Sequence, residues 1–310
     1  MDTLTTTQRD RSRKVNTRKP LLASVMSLIL PGFGQLYNGQ LNKGILLFIT
    51  FILCSLAVPA VVALYLPAVL TLPLVVMSLI VSITIWVYSV VQAWRSAKHQ
   101  KAYAVRNWQQ PATYIGGFLI AMIILSVATQ YVRGHLLESF VIPSSSMEPS
   151  ILKGDVLFAD KRYNCPGCKH HAQRGDTAIF VYPNNRSLYY IKRIIGLPGD
   201  QIRIVGQTVY VNGKPLAQQK KADGESYMVT EQLGETSYQV RWDKGGKAEM
   251  ASLTVQPGTV FVLGDNRSAT KDSRQFGAVP LMDVVGKVRQ VWFSKGEAGI
   301  RWKRLGQTID

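Results

Sequence analysis

Histidine and cysteine are scarce in this 310-residue chain, with four and three copies. No HExxH pair occurs and no GxSxG elbow, which argues against zincin-type metalloproteases and against hydrolases built on a serine–histidine pair. The glycines of PGFGQLYNGQLNKG (31–44) follow no strand, and no Lys-Ser/Thr pair closes them, so they form no phosphate loop. Acids are also few, 19 against 36 Lys and Arg, for a net charge of +17. The basic residues are not interleaved with aromatics on one face, as a nucleic-acid reader would need. Most telling is the absence of any charge or histidine over the 51 residues from Gly44 to Trp94, and of any charge from Asn107 to Val132. Buried helices of a soluble protein do not run uncharged that far, whereas a bilayer span needs ~20 such residues.

The 51-residue run therefore holds two spans, broken at Tyr65–Pro67, with Pro73 early in the second; Thr113–Val132 forms the third. Leu21–Leu30 is too short to cross, so 21–42 reads as an interfacial or re-entrant piece. Residues 1–132 carry eleven Lys and Arg against two acids, all outside the apolar stretches. They concentrate in the tail and in the loop Arg95–Arg106, which places both in the cytoplasm and delivers residue 133 onward to the far side. The tail is not a cleavable export signal, because the apolar region after it is far too long. The expected organisation is a basic cytoplasmic tail (1–20), a membrane region with the re-entrant piece and two helices (21–110), a third transmembrane helix (111–133) and a soluble domain (134–310).

After His135 the pattern becomes β. Val156–Ala159, Thr177–Tyr182, Leu188–Ile195, Gln201–Val205, Val209–Val211 and Val260–Leu263 read as short strands, and Asn212-Gly213 is a hairpin signal. Residues 206–258 are polar with several glycines and read as an inserted β subdomain.

Two stretches carry chemistry. In FVIPSSSMEPSI (140–151) three serines lie between Pro143 and Pro149, held in a shape that neither continues a helix nor joins a sheet interior. Such a hydroxyl is either a nucleophile or part of a plain connector. In YYIKRIIGLPGD (189–200) Lys192 is embedded in an apolar run. Pointing outward it would simply be solvated; pointing inward it would lose its charge by desolvation and could take a proton from a serine. Spacing does not decide which serine would attack.

PSSSMEP (143–149), RGDTAIF (174–180), YIKRIIGLPGD (190–200) and GDNRSATKDSRQFGAVP (264–280), in this order, resemble the boxes of the bacterial type I signal peptidase family, also called leader peptidase. The resemblance implies a mainly β catalytic domain, a signal-peptidase-like β fold with an inserted β subdomain, attached to an α-helical transmembrane region. It selects Ser146, before Met147, as nucleophile and Lys192 as general base. Ser144 becomes the side-chain donor to the oxyanion beside the Ser146 N–H. Thr270 falls where a hydroxyl bonds the lysine, Asp272 and Arg274 form a supporting ion pair, and Asp265 partners Arg193. Ile142, Pro143, Met147, Tyr190 and Ile191 would wall shallow apolar subsites, implying cleavage after Ala-x-Ala-like sequences with the peptide extended along a strand edge. Two departures stand out: Ser145 replaces the usual glycine, and SATK (268–271) replaces the commoner DNSA.

The implied function is a membrane-bound serine endopeptidase that removes N-terminal signal peptides from exported preproteins at the outer face of a bacterial inner membrane. It would need no metal or cofactor. Its partners would be signal peptides, membrane lipid and the secretion translocon, with no nucleic acid. A processor of one narrow client and a non-catalytic membrane scaffold are the rivals. Cys54 lies within the first span and is inert. Cys165 and Cys168, followed by His170 and His171, form either a disulfide loop or a metal site. Trp292, Phe293 and Trp302, flanked by Lys295, Arg301, Lys303 and Arg304, either rest on the bilayer or pack in the core.

Overall fold

The structure, a computed structural model, describes residues 15–66, 68–100, 103–164 and 170–309. They divide into two compact units, one of residues up to Tyr65 with Pro73–Tyr131, the other of Leu66–Leu72 with Val132 onward. The cysteine pair at 165 and 168, and most of the basic tail, lie outside the described residues.

Among the described residues three helical stretches, mostly in the first unit, are long and apolar enough to cross a membrane: Leu41–Tyr65, Leu70–His99 and Pro111–Leu136. The first passes through a π-helical stretch at Leu53–Ala57. Pro59 follows it, lacks an N–H to return to the preceding turn, and so favours a widened register there. The short helices Pro20–Ile29 and Phe33–Tyr37 fold back on each other at Gly32, whose φ of 94° suits glycine. Gly34 lies so close to Ala23 and Ala93 that a Cβ would collide with both. This packing seals a row of neutral polar groups. Gln35 donates to the Ser89 carbonyl (2.8 Å) and to Gln92 Oε1 (2.7 Å), and accepts from Ser27 and Ser89 Oγ (3.1 Å each). Asn38 donates to the Ala93 carbonyl at 2.8 Å. Outside, Leu46, Ile80 and Ile123 are each about 60 % exposed. Apolar groups outward and mostly hydrogen-bonded polar groups inward are what a hydrocarbon surround favours.

The second unit is built on an antiparallel sheet in the order Val279–Pro280, Thr259–Leu263, Tyr189–Gly196, Thr177–Val181, Val284–Gly296, Asp155–Asp160, Leu137–Val141. Its longest strand, Val284–Gly296, pairs with both Thr177–Val181 and Asp155–Asp160. Ile142, Met147, Ile151, Leu157, Ile179 and Val291 fill one core cluster, and Phe180, Ile194, Val260, Val262 and Val279 another. A four-stranded sheet (Met250–Thr254, Gln201–Val205, Thr208–Val211, Lys214–Pro215) and a three-stranded one (Ala217–Asp223, Ser226–Leu233, Thr236–Asp243) share a third core around Trp242, Ile202 and Phe261. Asn212 and Gly213, with φ of 50° and 78°, turn the hairpin between Val211 and Lys214, as an Asn-Gly type I′ turn requires.

Candidate active site

Ile142 continues the pairing of its strand, donating to the Asp155 carbonyl and accepting from Gly154 at 2.9 Å each. Pro143 has no N–H to continue it, and the chain leaves the sheet. Met147 (2 % exposed) and Ile151 (fully buried) then pin the serine segment into the core beneath it. From the other side Asn266 holds it: its N–H donates to the Ser146 carbonyl and its Nδ2 to the Ser145 carbonyl, both at 3.2 Å. Asn266 stands inside the GDNR box, but its role as a backbone anchor shows only in the fold.

Lys192 sits on the strand Tyr189–Gly196 opposite Ala178, points inward, and is 3 % exposed. Its Nζ lies 2.8 Å from Ser146 Oγ and donates to the Ile191 carbonyl at 2.9 Å. Burial pulls the amine down to about 8, against the opposing pull of the Asp272 and Asp265 carboxylates. Those carboxylates are themselves engaged. Asp265 is bidentate with Arg193 (2.9 Å to each oxygen, both side chains buried), and Arg193 also donates to the Gly175 carbonyl. Asp272 accepts from Arg274 and from the Gly264 N–H, and caps the short helix Ser273–Phe276. Arg174 clamps Asp200 with two bonds of 2.6 Å. Together these pairs tie three distant sequence boxes to one another around the lysine.

Ser144 Oγ is exposed and 3.3 Å from Ser146 Oγ. Ile142, Pro143, Met147, Tyr190 and Ile191 all line one cleft of about 430 Å³ with the serine and lysine. Ile142 and Met147 are almost wholly buried, so they are core as much as wall. Phe140 and Tyr189 line it too and meet edge-on with ring centroids 5.8 Å apart.

The expected Thr270 bond to Lys192 is not made. Thr270 lines the cleft, but its Oγ1 is buried without a hydrogen-bond partner among the described residues. It packs so tightly against Gly264 that a Cβ at 264 would strike both it and the Ser146 carbonyl oxygen. Lys192 turns instead to Ser146 and its own strand's carbonyl.

A second buried pair was not foreseen. Arg267 is bidentate with Glu231 of the strand Ser226–Leu233 (2.7 and 2.5 Å, both side chains fully buried) and donates to the Gly264 carbonyl at 3.1 Å. Glu231 belongs to no motif, so only the fold reveals it. Trp292 stacks on Phe158 (centroids 5.6 Å apart), whereas Trp302 is 71 % exposed. Among the described residues no His/Cys/Asp/Glu group could hold a metal ion.

A buried amine held near pH 8 against a serine hydroxyl in a largely apolar cleft, with a second hydroxyl beside it, is a constellation suited to nucleophilic attack on a carbonyl once the amine loses its proton. Comparison with known proteins gives the lineage. The family model described as signal peptidase, peptidase S26, matches residues 115–293, more than half of the chain, and the chain belongs to that family. The chain is similar to a signal peptidase I of Pseudomonas aeruginosa, 32 % identical over 195 residues, covering 52 % of this chain and 66 % of that protein. It is also similar to one of Rickettsia typhi, 30 % identical over 196 residues, covering 53 % and 74 %. The match thus spans just under two thirds of the Pseudomonas protein. A solved signal peptidase I from Enterococcus faecalis V583 is 31 % identical, with 37 % of this chain and 95 % of that one covered and a TM-score of 0.26.

Proposed function

We propose that this chain is a membrane-anchored serine endopeptidase that cleaves signal peptides from exported preproteins after Ala-x-Ala-like sequences. The observation that carries the reading is the 2.8 Å approach of Ser146 Oγ to an amine that is nearly completely buried. In its neutral form Lys192 accepts the hydroxyl proton as Ser146 Oγ attacks the scissile carbonyl. The Ser146 N–H and the Ser144 hydroxyl donate to the oxyanion, and the Lys192 ammonium returns the proton to the leaving amine. Water then releases the acyl group with Lys192 again as base. Arg193–Asp265 and Arg274–Asp272 hold the lysine strand and the loop beside it, and Thr270 packs that loop against Gly264.

The preprotein lies extended in the apolar cleft, whose shallow walls, including Ile142, Pro143, Tyr190 and Ile191, admit small side chains and reject large ones by clash. The three long apolar helices span the membrane, with the tail cytoplasmic and the β unit outside, within reach of lipid and of the secretion translocon. Retention of both Ser146 and Lys192 argues against a degenerate scaffold.

The test is cleavage of a preprotein bearing an Ala-x-Ala site by the detergent-solubilised protein. Wild type should cut after the second alanine, and Ser146→Ala and Lys192→Ala should each lose at least about 10³-fold. Normal cutting by Lys192→Ala, or none by wild type across several preproteins, overturns the reading.

A further inference from the structure

The cleft is lined by two cations and no carboxylate. Lys192 is buried against Ser146 and belongs to the chemistry. Lys271 is different: it is exposed at the cleft, and among the described residues it makes no ion pair. Its neighbour Asp272 cannot neutralise it by direct contact, being fully buried and committed to Arg274 and the Gly264 N–H. Asp265 is likewise taken by Arg193.

The backbone that carries Lys271 is fixed relative to the nucleophile. On its N-terminal side the Ala269 N–H donates to the Asn266 carbonyl, and Asn266 holds the Ser145 and Ser146 carbonyls. On its C-terminal side Asp272 is anchored as described. Between these anchors Thr270 packs against Gly264 beside Ser146. An exposed lysine side chain therefore projects from an anchored backbone into the cleft that holds Ser146 and Lys192. Its ammonium is left for whatever peptide occupies the cleft.

We propose that Lys271 is a specificity residue that favours a carboxylate side chain on the substrate within two residues of the cleaved bond. The inference rests on the peptidase reading. An exposed ion pair formed on docking is worth up to ~1 kcal/mol, so the effect on kcat/KM is about three- to fivefold. It is expressed mainly through KM and weakened by salt, as for a charge at the rim of an interface.

The test uses the full-length protein in detergent and peptides with one Ala-x-Ala site. Glu is compared with Gln at the residue between the alanines and at the first and second residues after the bond. In wild type the Glu/Gln ratio of kcat/KM should reach about three to five at one of these positions and fall at high salt. It should drop to about one in Lys271→Ala and fall below one in Lys271→Glu. A purely structural role would lower both peptides together and leave the ratio alone. Gln peptides cut with a ratio of one at all three positions, or a ratio retained in Lys271→Ala, overturn this inference while the peptidase reading stands. Failure of wild type to cut any of the peptides overturns both.

Discussion

The two units bury polar groups in opposite currencies. In the helical unit the fully buried polar residues are neutral: Gln35, Asn38, Ser27 and Ser89 bond to one another and to backbone carbonyls, while leucine and isoleucine side chains face outward and the half-buried Arg18 lies against the Tyr37 and Tyr103 rings. In the β unit charged groups are hidden as well: Arg193 with Asp265, Arg267 with Glu231, and Lys192 close by. Neutral amides cost little to move between partners, so they serve for helix association where no water is at hand. A buried charge is tolerable only with a partner of good geometry, and once placed it sets the protonation of its neighbours. The first unit uses polarity as glue. The second uses it to tune one amine.

The comparison breaks most severely at Glu231. Glu231→Ala strands the Arg267 charge in the interior and should cost about 3–5 kcal/mol, read as a loss of urea resistance of the β unit. Replacing both partners, Glu231→Leu with Arg267→Met, should recover most of it. Next in size is Ser144→Ala, which removes the proposed oxyanion donor and should lower kcat by ~10²–10³ while leaving thermal unfolding in place.

Lys192 offers a milder and opposite effect on stability. Its amine is lowered from 10.5 to about 8 on folding, so the unfolded chain binds the extra proton between these values. The cost of burying the ammonium is fully present below about 8 and is relieved as pH climbs toward 10.5. Lys192→Met should therefore raise Tm, on the order of 5 °C at neutral pH and less in alkali, while abolishing cleavage. For the same reason kcat/KM of wild type should climb through about pH 8 as the base is freed. The smallest effect is expected in the helical unit. Gln35→Leu deletes several bonds but no charge and should cost about 1 kcal/mol in detergent, with peptide cleavage unaltered; a loss as large as that of Glu231→Ala would erase the distinction between the units.

Much of the architecture was legible in residue order. Uncharged length predicts three spans, and three long apolar helices are present among the described residues. Six short runs between turn residues match strands to within about two residues: some, such as Thr177–Val181, are buried on both faces and read as near-continuous apolar runs, while Gln201–Val205 alternates buried and exposed. The longest strand was not foreseen. Val284–Gly296 is interrupted by Gly286, Lys287 and Arg289, and its half-buried alternation shows only when its neighbours are known. Ser226–Leu233 escaped within a polar stretch for the same reason, and Ala217–Asp223 because nearly all of it is exposed.

By itself the sequence determined the helical and β halves, the serine flanked by prolines and the lysine in an apolar run, since these follow from local composition and backbone stiffness. Only the tertiary structure decided that Lys192 points inward onto a serine 46 residues away, that Thr270 turns toward Gly264, and that Glu231 meets Arg267. Direction, depth and partner are properties of a packed interior, where burial, against the pull of two nearby carboxylates, moves an amine from 10.5 to about 8 and an unpaired charge becomes intolerable. No spacing along a chain encodes them.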